Sequence, residues 1–203
     1  MSENFIKQRK QALRAEAMAQ RGSLTNAEAE TWGRLIQGKV LRFSAYLRSQ
    51  AVALYSPIQN EVETVAIRDH ALTNGKTVYY PKLVGETALE LVQIDSVEDF
   101  RRGRLGVLEP IGSQRLFEND QNLMTIVVPG VVFDSLGNRI GRGMGWYDRL
   151  LKSVPRNVVT LGLAYEFQTV PEIPVDEWDE RVNYVITERR IIDCTKSQSS
   201  LAS

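Results

Sequence analysis

Apolar positions change period several times along the chain, and the changes mark its elements. Residues 4–21 are rich in Lys, Arg, Gln, Ala and Met, with no proline and no glycine before Gly22, and this predicts a helix. Thr25-Asn-Ala-Glu28 fits a capping box and predicts a second helix running to about Ser49, with Trp32, Leu35, Ile36, Val40 and Leu41 at helical spacing toward a core. Ala51-Val-Ala-Leu-Tyr55 is a short strand-forming run that ends at Ser56-Pro57, since proline cannot donate to a ladder. A third helix over Thr64 to Asn74 stops at Asn74-Gly75. Thr77–Leu83 and Leu89–Ile94 read as strands, and Asp95–Gln121 as loops around short elements. Thr125 to Asp134 reads as a buried strand ending at a turn, and Trp146–Lys152 has helical character. Val158–Ala164 and Arg181–Ile186 complete the strands, separated by a loop punctuated by Pro171 and Pro174.

Strands alternating with helices predict an α/β fold, a three-layer α/β/α sandwich with a mostly parallel central sheet. The expectation is a single domain over residues 1–203, with helices of residues 4–49 packed on the sandwich and a frayed tail over 193–203. In such sheets ligands gather beyond the carboxyl ends of strands. Three segments fall at such positions: Ser56–Glu63, Phe133–Asp148 and Asp176–Asp179.

Composition narrows the chemistry. Lys plus Arg equals Asp plus Glu at 25 each, so no overall field recruits nucleic acid or an anionic membrane, and any anion site must be local. The lone Cys194 excludes an intrachain disulfide and suits a reducing compartment. With no apolar run of membrane-spanning length and no signal-peptide core, the expected location is the cytoplasm. One histidine, His70, leaves almost no material for a Ser-His-Asp triad or a multi-histidine metal site, and it reads as structural.

The segment Asn138-Arg-Ile-Gly-Arg-Gly-Met-Gly-Trp-Tyr-Asp148 carries the most chemistry. Gly141, Gly143 and Gly145 alternate between a strand and a helix, where backbone amides can approach an anion, although a purely structural turn also explains them. The spacing is neither the dinucleotide fingerprint nor a P-loop, since no Gly-Lys-Ser/Thr follows. Arg139, Arg142 and Arg149 cluster nearby, and the guanidinium fork suits phosphate oxygens. Asp148 can either hold Mg²⁺ or complement the helix dipole. Lys10 and Arg14 share a helix face, as a solvated basic stripe or as cations reaching a phosphate chain. Glu61 reads as a first-turn helix acid or as a carboxylate accepting two parallel hydrogen bonds from a cyclic guanidine-like edge, such as that of a pterin. Glu63 is a weaker candidate. Trp146 and Tyr147 read as core aromatics or as ring contacts.

The run Val128-Pro-Gly-Val-Val-Phe-Asp, followed by Gly137-Asn-Arg-Ile-Gly-Arg-Gly-Met-Gly-Trp-Tyr-Asp148, resembles the hallmark of the 5-formyltetrahydrofolate cyclo-ligase family, also called 5,10-methenyltetrahydrofolate synthetases. Lys10-Gln-Ala-Leu-Arg14 resembles the family's nucleotide-contacting helix, and Tyr55-Ser-Pro-Ile-Gln-Asn-Glu61-Val-Glu-Thr64 its substrate-binding segment. Gly106-Val-Leu-Glu-Pro110 and Ile173-Pro-Val-Asp-Glu-Trp-Asp179 match later landmarks, so the resemblance covers the chain to about Ile192. It implies ATP- and Mg²⁺-dependent ring closure: ATP phosphorylates the formyl oxygen of 5-formyltetrahydrofolate, N10 attacks the activated carbon, phosphate leaves and 5,10-methenyltetrahydrofolate remains. Phosphoryl transfer needs positioning and charge neutralisation more than an elaborate acid–base pair, so the shortage of histidine is no obstacle.

The implied ATP contacts are Lys10, Arg14, Arg139 and the run Gly141, Arg142, Gly143, Met144, Gly145, Trp146, Tyr147, Asp148. Arg142 and Tyr147 stand nearest the reacting groups, Ser56, Glu61 and Tyr147 at the folate, and Asp148 with Asp179 at the metal. The implied partners are small molecules, a reduced folate and ATP, with neither nucleic acid nor membrane, and the expected state is a monomer. Three positions depart from the family pattern. Met144 stands where lysine or glycine is frequent, Trp146 where a tyrosine is common, and Trp178 where a histidine often precedes the aspartate. Two other readings compete: a non-catalytic nucleotide- or folate-binding module of the same fold, and an α/β enzyme acting on a sugar phosphate.

Overall fold

The computed structural model describes residues 3–103, 106–114, 124–155 and 157–196. In chain order its elements are α1 (Glu3–Gly22), α2 (Asn26–Val40), α3 (Ser44–Arg48), β1 (Ala51–Ala53), α4 (Val65–Thr73), β2 (Thr77–Val84) and β3 (Ala88–Ile94). There follow β4 (Phe100–Arg102), β5 (Leu108–Pro110), β6 (Met124–Val128), β7 (Val132–Asp134), β8 (Arg139–Ile140), α5 (Trp146–Ser153), β9 (Val159–Leu163), β10 (Thr169–Val170), β11 (Tyr184–Ile186) and β12 (Ile191–Asp193).

The main sheet has the order β12-β11-β9-β6-β1-β2-β3. Its interior is parallel, and only the two edge pairings, β11 with β12 and β2 with β3, are antiparallel. Side-chain alternation divides its residues between two cores. Val52, Val78, Tyr80, Val127 and Leu161 face Ile36, Val40, Tyr46 and Ile67 of α2 to α4. Ala51, Ala53, Tyr79, Ile126 and Val128 face Leu150 and Leu151 of α5. Helices therefore cover both faces, giving the three-layer α/β sandwich with a mostly parallel sheet. A third cluster packs Leu13 and Ala17 of α1 on Val131, Val132, Ile140 and Ile173, which belong to the small sheet β10-β7-β8 and its surroundings.

Three expectations need correction. The second helix does not run to Ser49: it ends at Val40, and Phe43 turns extended before α3. There its ring meets Tyr184 edge-on at 4.9 Å, so tertiary packing overrides local helix propensity. The run Thr125–Asp134 is two strands in two sheets, split at Pro129-Gly130. A Cβ on Gly130 would lie 2.3 Å from the Phe133 ring, so the bend brings the backbone onto that ring and sends β7 out of the main sheet. Finally, β12 was not foreseen: Asp193 ends an edge strand and Cys194 is fully buried, its N–H bonded to the Asn183 carbonyl, so the chain is built into the fold beyond residue 193. Residues 197–203 of the expected tail lie outside the described residues, as do 104–105 and 115–121 of the expected loop region. The His70 ring shares a hydrogen bond with Tyr46 Oη at 2.8 Å, between α3 and α4.

Candidate functional site

The site is delivered by a buried acid. Asp134 closes β7 with no solvent exposure. Its Oδ1 accepts the Leu136 and Asn138 N–H groups at 2.9 and 3.0 Å, and its Oδ2 accepts Asn138 Nδ2 and the Ile173 N–H at 2.8 and 3.0 Å. A buried carboxylate is tolerated when its oxygens are filled in this way. These bonds fix the turn after β7 and the segment leading to residue 176. Arg181 Nε adds a bond to Asn138 Oδ1 at 2.8 Å.

From that turn β8 leads into Gly141–Gly145. Gly143 has φ +96°, and Gly145, the residue before α5, has φ +64°, both conformations that favour glycine. Among the described residues, the N–H groups of Arg142, Gly143, Met144 and Gly145 reach no acceptor. Such consecutive free amides form a concave anion site. Cations hold the loop's frame. Arg14 Nε donates to the Gly141 carbonyl at 2.8 Å, and its Nη2 comes within 3.7 Å of where a Cβ on Gly143 would stand. Arg149 donates to the carbonyls of Met144 and Thr87, so it straps the loop from outside, while the Met144 side chain is 56% exposed at the tip. Trp146 Nε1 donates to the Glu86 carbonyl at 3.3 Å. Arg139 is buried, lies over the Tyr147 ring at 5.9 Å and bonds Asp148 Oδ1 at 2.8 Å, yet its Nε meets no acceptor among the described residues.

One end of the site is acidic. Lys10 Nζ bridges Asp176 Oδ2 at 2.7 Å and Asp179 Oδ2 at 2.5 Å, and Asp179 Oδ2 also accepts the Asp176 N–H at 2.8 Å. Burial works to lower the Lys10 ammonium, but the bonds and charges of both aspartates outweigh it and hold the group above its ordinary range. Asp148 Oδ1 accepts the Glu180 N–H at 3.3 Å as well as Arg139, and the charge of Asp179 also acts on Arg139. Asp148 Oδ2 and Asp179 Oδ1 have no protein partner among the described residues. Open carboxylate oxygens are the donor type taken by a small hard cation that completes its shell with phosphate oxygens and water. Among the described residues there is no cluster of three or more His, Cys, Asp or Glu side chains of the kind a protein-only metal centre requires.

The other end is built around Glu61. It lies not in a helix turn but in a loop before α4 whose Gln59 and Asn60 take left-handed angles, φ 49° and 58°. Oε2 accepts the Ile58 N–H at 3.2 Å, while Oε1 is shared by Arg142 Nη2 at 3.3 Å and Arg21 Nη2 at 3.7 Å. Arg142 also donates to Gln59 Oε1 at 2.9 Å. Arg21 is only 2% exposed, and its Nη1 reaches the Gly130 carbonyl at 3.5 Å. Burial raises the Glu61 carboxyl above its ordinary range, opposed by Arg21 and Arg142. Tyr55 Oη donates to the Val62 carbonyl at 2.7 Å, and burial pushes the hydroxyls of both Tyr55 and Tyr147 upward, with the Glu61 charge adding to each. Ser56 Oγ donates to the Leu108 carbonyl at 2.6 Å, which ties this segment to β5.

Lys10, Arg14, Arg139, Arg142, Tyr147, Asp148 and Asp179 are thus linked around one glycine loop, and Glu61 joins them through Arg142. Neither Lys10 nor Arg14 is a solvated stripe. Sequence reasoning missed Arg21, Asp134 and Gln59. Arg21 lay at the expected end of a polar helix; its position one turn beyond Met18 on the Arg14 side was the available signal.

The same geometry has relatives. The chain is 29% identical to the probable 5-formyltetrahydrofolate cyclo-ligase of Schizosaccharomyces pombe over 91% of this chain and 97% of that one. It is 30% identical to the 5-formyltetrahydrofolate cyclo-ligase of Mus musculus, over 88% and 93%. Among solved structures, the 5,10-methenyltetrahydrofolate synthetase of Aquifex aeolicus superposes with a TM-score of 0.81 at 32% identity, covering 91% of this chain and 92% of that one. That of Mycoplasma pneumoniae gives 0.72 at 25%, covering 88% and 98%. A sequence profile of the 5-formyltetrahydrofolate cyclo-ligase family matches residues 6–188, from α1 through β11, and the chain belongs to that family.

Proposed function

We propose that the protein catalyses the ATP-dependent cyclisation of 5-formyltetrahydrofolate to 5,10-methenyltetrahydrofolate, with release of ADP and phosphate. It acts as a single-domain monomer in the cytoplasm. The observation that carries this reading is the row of unpartnered amides at residues 142–145, flanked by Arg14 on one side and by Arg142 with Glu61 on the other. An anion cradle between two differently equipped half-sites suits transfer of a phosphoryl group from one substrate to another.

In this reading ATP lies on the Lys10 and Arg14 side with its phosphates over the loop. The pterin lies on the Glu61 side, where the carboxylate accepts paired N–H groups, and Ser56 and Tyr147 border it. The formyl oxygen attacks the γ-phosphorus and ADP departs. N10 then attacks the formyl carbon, its proton is lost and phosphate leaves with the C–O bonding pair. Arg142 and the loop amides neutralise charge on the transferring group, an electrostatic task. Arg139 holds Asp148 in place, and Tyr147 supports Arg139 through its ring face. The open oxygens of Asp148 and Asp179 would hold Mg²⁺, which supplies charge neutralisation on the phosphate chain when bound.

The test is direct. Purified protein, 5-formyltetrahydrofolate, Mg²⁺ and ATP are mixed, and the methenyl chromophore is followed with ADP release. The expected result is an ATP-dependent signal with one ADP formed per methenyl group. Binding of both ligands without product would replace this reading with a non-catalytic binding module. Turnover of a sugar phosphate without ATP would replace it with the other enzyme class.

A further inference from the structure

The reaction described above leaves Arg149 without a task, yet its side chain is tied down more firmly than an exposed arginine needs. Its Nε donates to the Thr87 carbonyl at 2.9 Å and its Nη2 to the Met144 carbonyl at 2.9 Å. The rigid fork of a guanidinium can span two such acceptors, whereas an ammonium is a single point of charge. Gly145 makes room for it, since a Cβ there would lie 3.1 Å from Arg149 Nη1. Local electrostatics do not explain the placement. Arg149 is the fourth residue of α5, and a helical side chain leans toward the N-terminus, where the helix dipole disfavours a cation. The second anchor is the turn between β2 and β3, where Val84 pairs with Ala88 and Gly85 takes φ +63°. Trp146 Nε1 donates to the Glu86 carbonyl of the same turn at 3.3 Å.

We infer that Arg149 is a positioning residue: it holds the Met144 carbonyl against the β2–β3 turn and so aims the Gly145 N–H into the anion cradle. The inference rests on the reading that places the phosphates on the loop. The Met144 carbonyl and the Gly145 N–H belong to one trans peptide plane and point in opposite directions across it. A bond that holds the first therefore aims the second. This plane needs holding, because the residue after it is a glycine. Glycine takes either sign of φ at little cost, so the plane could turn over and present a carbonyl to the phosphates in place of a donor. Arg14 does the same work at the other end of the row, through the Gly141 carbonyl and hence the Arg142 N–H. The first and last amides of the cradle are thus aimed by two arginines, one from α1 and one from α5.

The test compares Arg149→Met, which keeps the stem and removes the fork, with Arg149→Lys, which keeps the charge. Both alter an exposed side chain, and circular dichroism melts establish that the variants are folded. Amide NMR spectra of isotope-labelled protein are recorded with and without inorganic tripolyphosphate, and initial rates are measured with 5-formyltetrahydrofolate, Mg²⁺ and ATP. In the unaltered protein the Arg142 and Gly145 N–H resonances should both shift on adding tripolyphosphate. Arg149→Met should lose the Gly145 shift and keep that of Arg142, with kcat/KM for ATP about 10-fold lower and the folate KM changed less than about 2-fold. Arg149→Lys should restore neither the shift nor the rate. If lysine restores both, the group acts by its charge and not by aiming a peptide, and the inference is wrong. A Gly145 shift that survives in Arg149→Met overturns it as well, since the loop then holds its shape unaided. If the unaltered protein shows the shifts and their loss in Arg149→Met but makes no methenyl product, the ligase reading falls while the role of Arg149 stands. If it makes product but its Gly145 N–H never shifts, the role of Arg149 falls while the ligase reading stands.

Discussion

The two ends of the site place cations from the same helix against acids under different conditions. At the Lys10 end the side chains keep 13 to 17% exposure, and one ammonium meets two carboxylates over short bonds, which leaves one negative charge in excess. At the Arg21 end the charges are deeper, the contacts longer and the excess positive, because Glu61 Oε1 serves two guanidiniums at 3.3 and 3.7 Å. A clasp that keeps some access to water, with one carboxylate to spare, loses less on opening than a fully buried pair does. A buried charge with long contacts depends on its partner, so losing either one leaves an uncompensated ion. The contrast suits the proposed roles. The acidic end must exchange partners when a metal and phosphates arrive, while the Glu61 end must keep its shape for a neutral, planar ring.

The sharpest way to break the comparison is Asp148→Ala. We expect kcat to fall by about 100-fold or more, with a weakened response to Mg²⁺ in steady-state titrations. Unchanged turnover and metal response would remove Asp148 from the metal site. Next comes a paired stability measurement in urea. Arg21→Met should cost roughly 3 kcal/mol, against about 1 kcal/mol or less for Lys10→Met. Equal losses would erase the distinction between the two ends. Glu61→Gln should raise the KM for the folate by roughly 10-fold while ADP binding holds, because one strong acceptor is replaced by a group with a donor. Loss of nucleotide affinity alone would contradict the pterin assignment.

Titration sharpens the contrast further. Burial holds the Glu61 carboxyl above its ordinary 4.5, and the two arginines pull it down. The carboxylate needed for the pterin is therefore lost on acidification at a higher pH than an exposed glutamate would show. Folate KM should rise as pH falls through that range, and Arg21→Met should move the rise to higher pH still. For stability the sign is opposite: a raised carboxyl favours the folded state while protonated, and that contribution fades as pH rises through the folded value. The smallest expected effect is at Met144. A lysine there should lower the KM for ATP by about 3-fold, read from initial rates, since an exposed charge near phosphates is worth little.

Much of the fold was legible because local signals agreed with it. The Thr25–Glu28 capping box is present with both reciprocal bonds, and Asn74-Gly75 stops α4 with Gly75 at φ +69°. The alternation of strands with helices along the chain correctly pointed to a mostly parallel sheet covered on both faces. What local pattern could not show was where long-range packing bends the chain, as at Phe43 against Tyr184 and at Gly130 over Phe133. In the candidate site, residues with an unusual local setting stood out, and the glycine loop with its arginines was the clearest. Arg21 and Asp134 did not, because their importance lies in burial, and one arginine at the end of a basic helix resembles any other until the fold closes over it. Trp178 was noticed only as a departure from a pattern, and its exposure needed the structure.

Helix α1 adds a consequence of its own. Lys10 grips the acidic turn, Arg14 the loop carbonyl and Arg21 the Glu61 carboxylate, over eleven residues or roughly 16 Å of one continuous rod. A rod cannot yield at one end without moving the other. Displacing Lys10 from its aspartates therefore changes how firmly Arg21 sits, so the two substrates should sense each other's presence. Thermodynamic linkage then requires the influence to be mutual: whatever factor nucleotide imposes on folate affinity, folate imposes on nucleotide affinity.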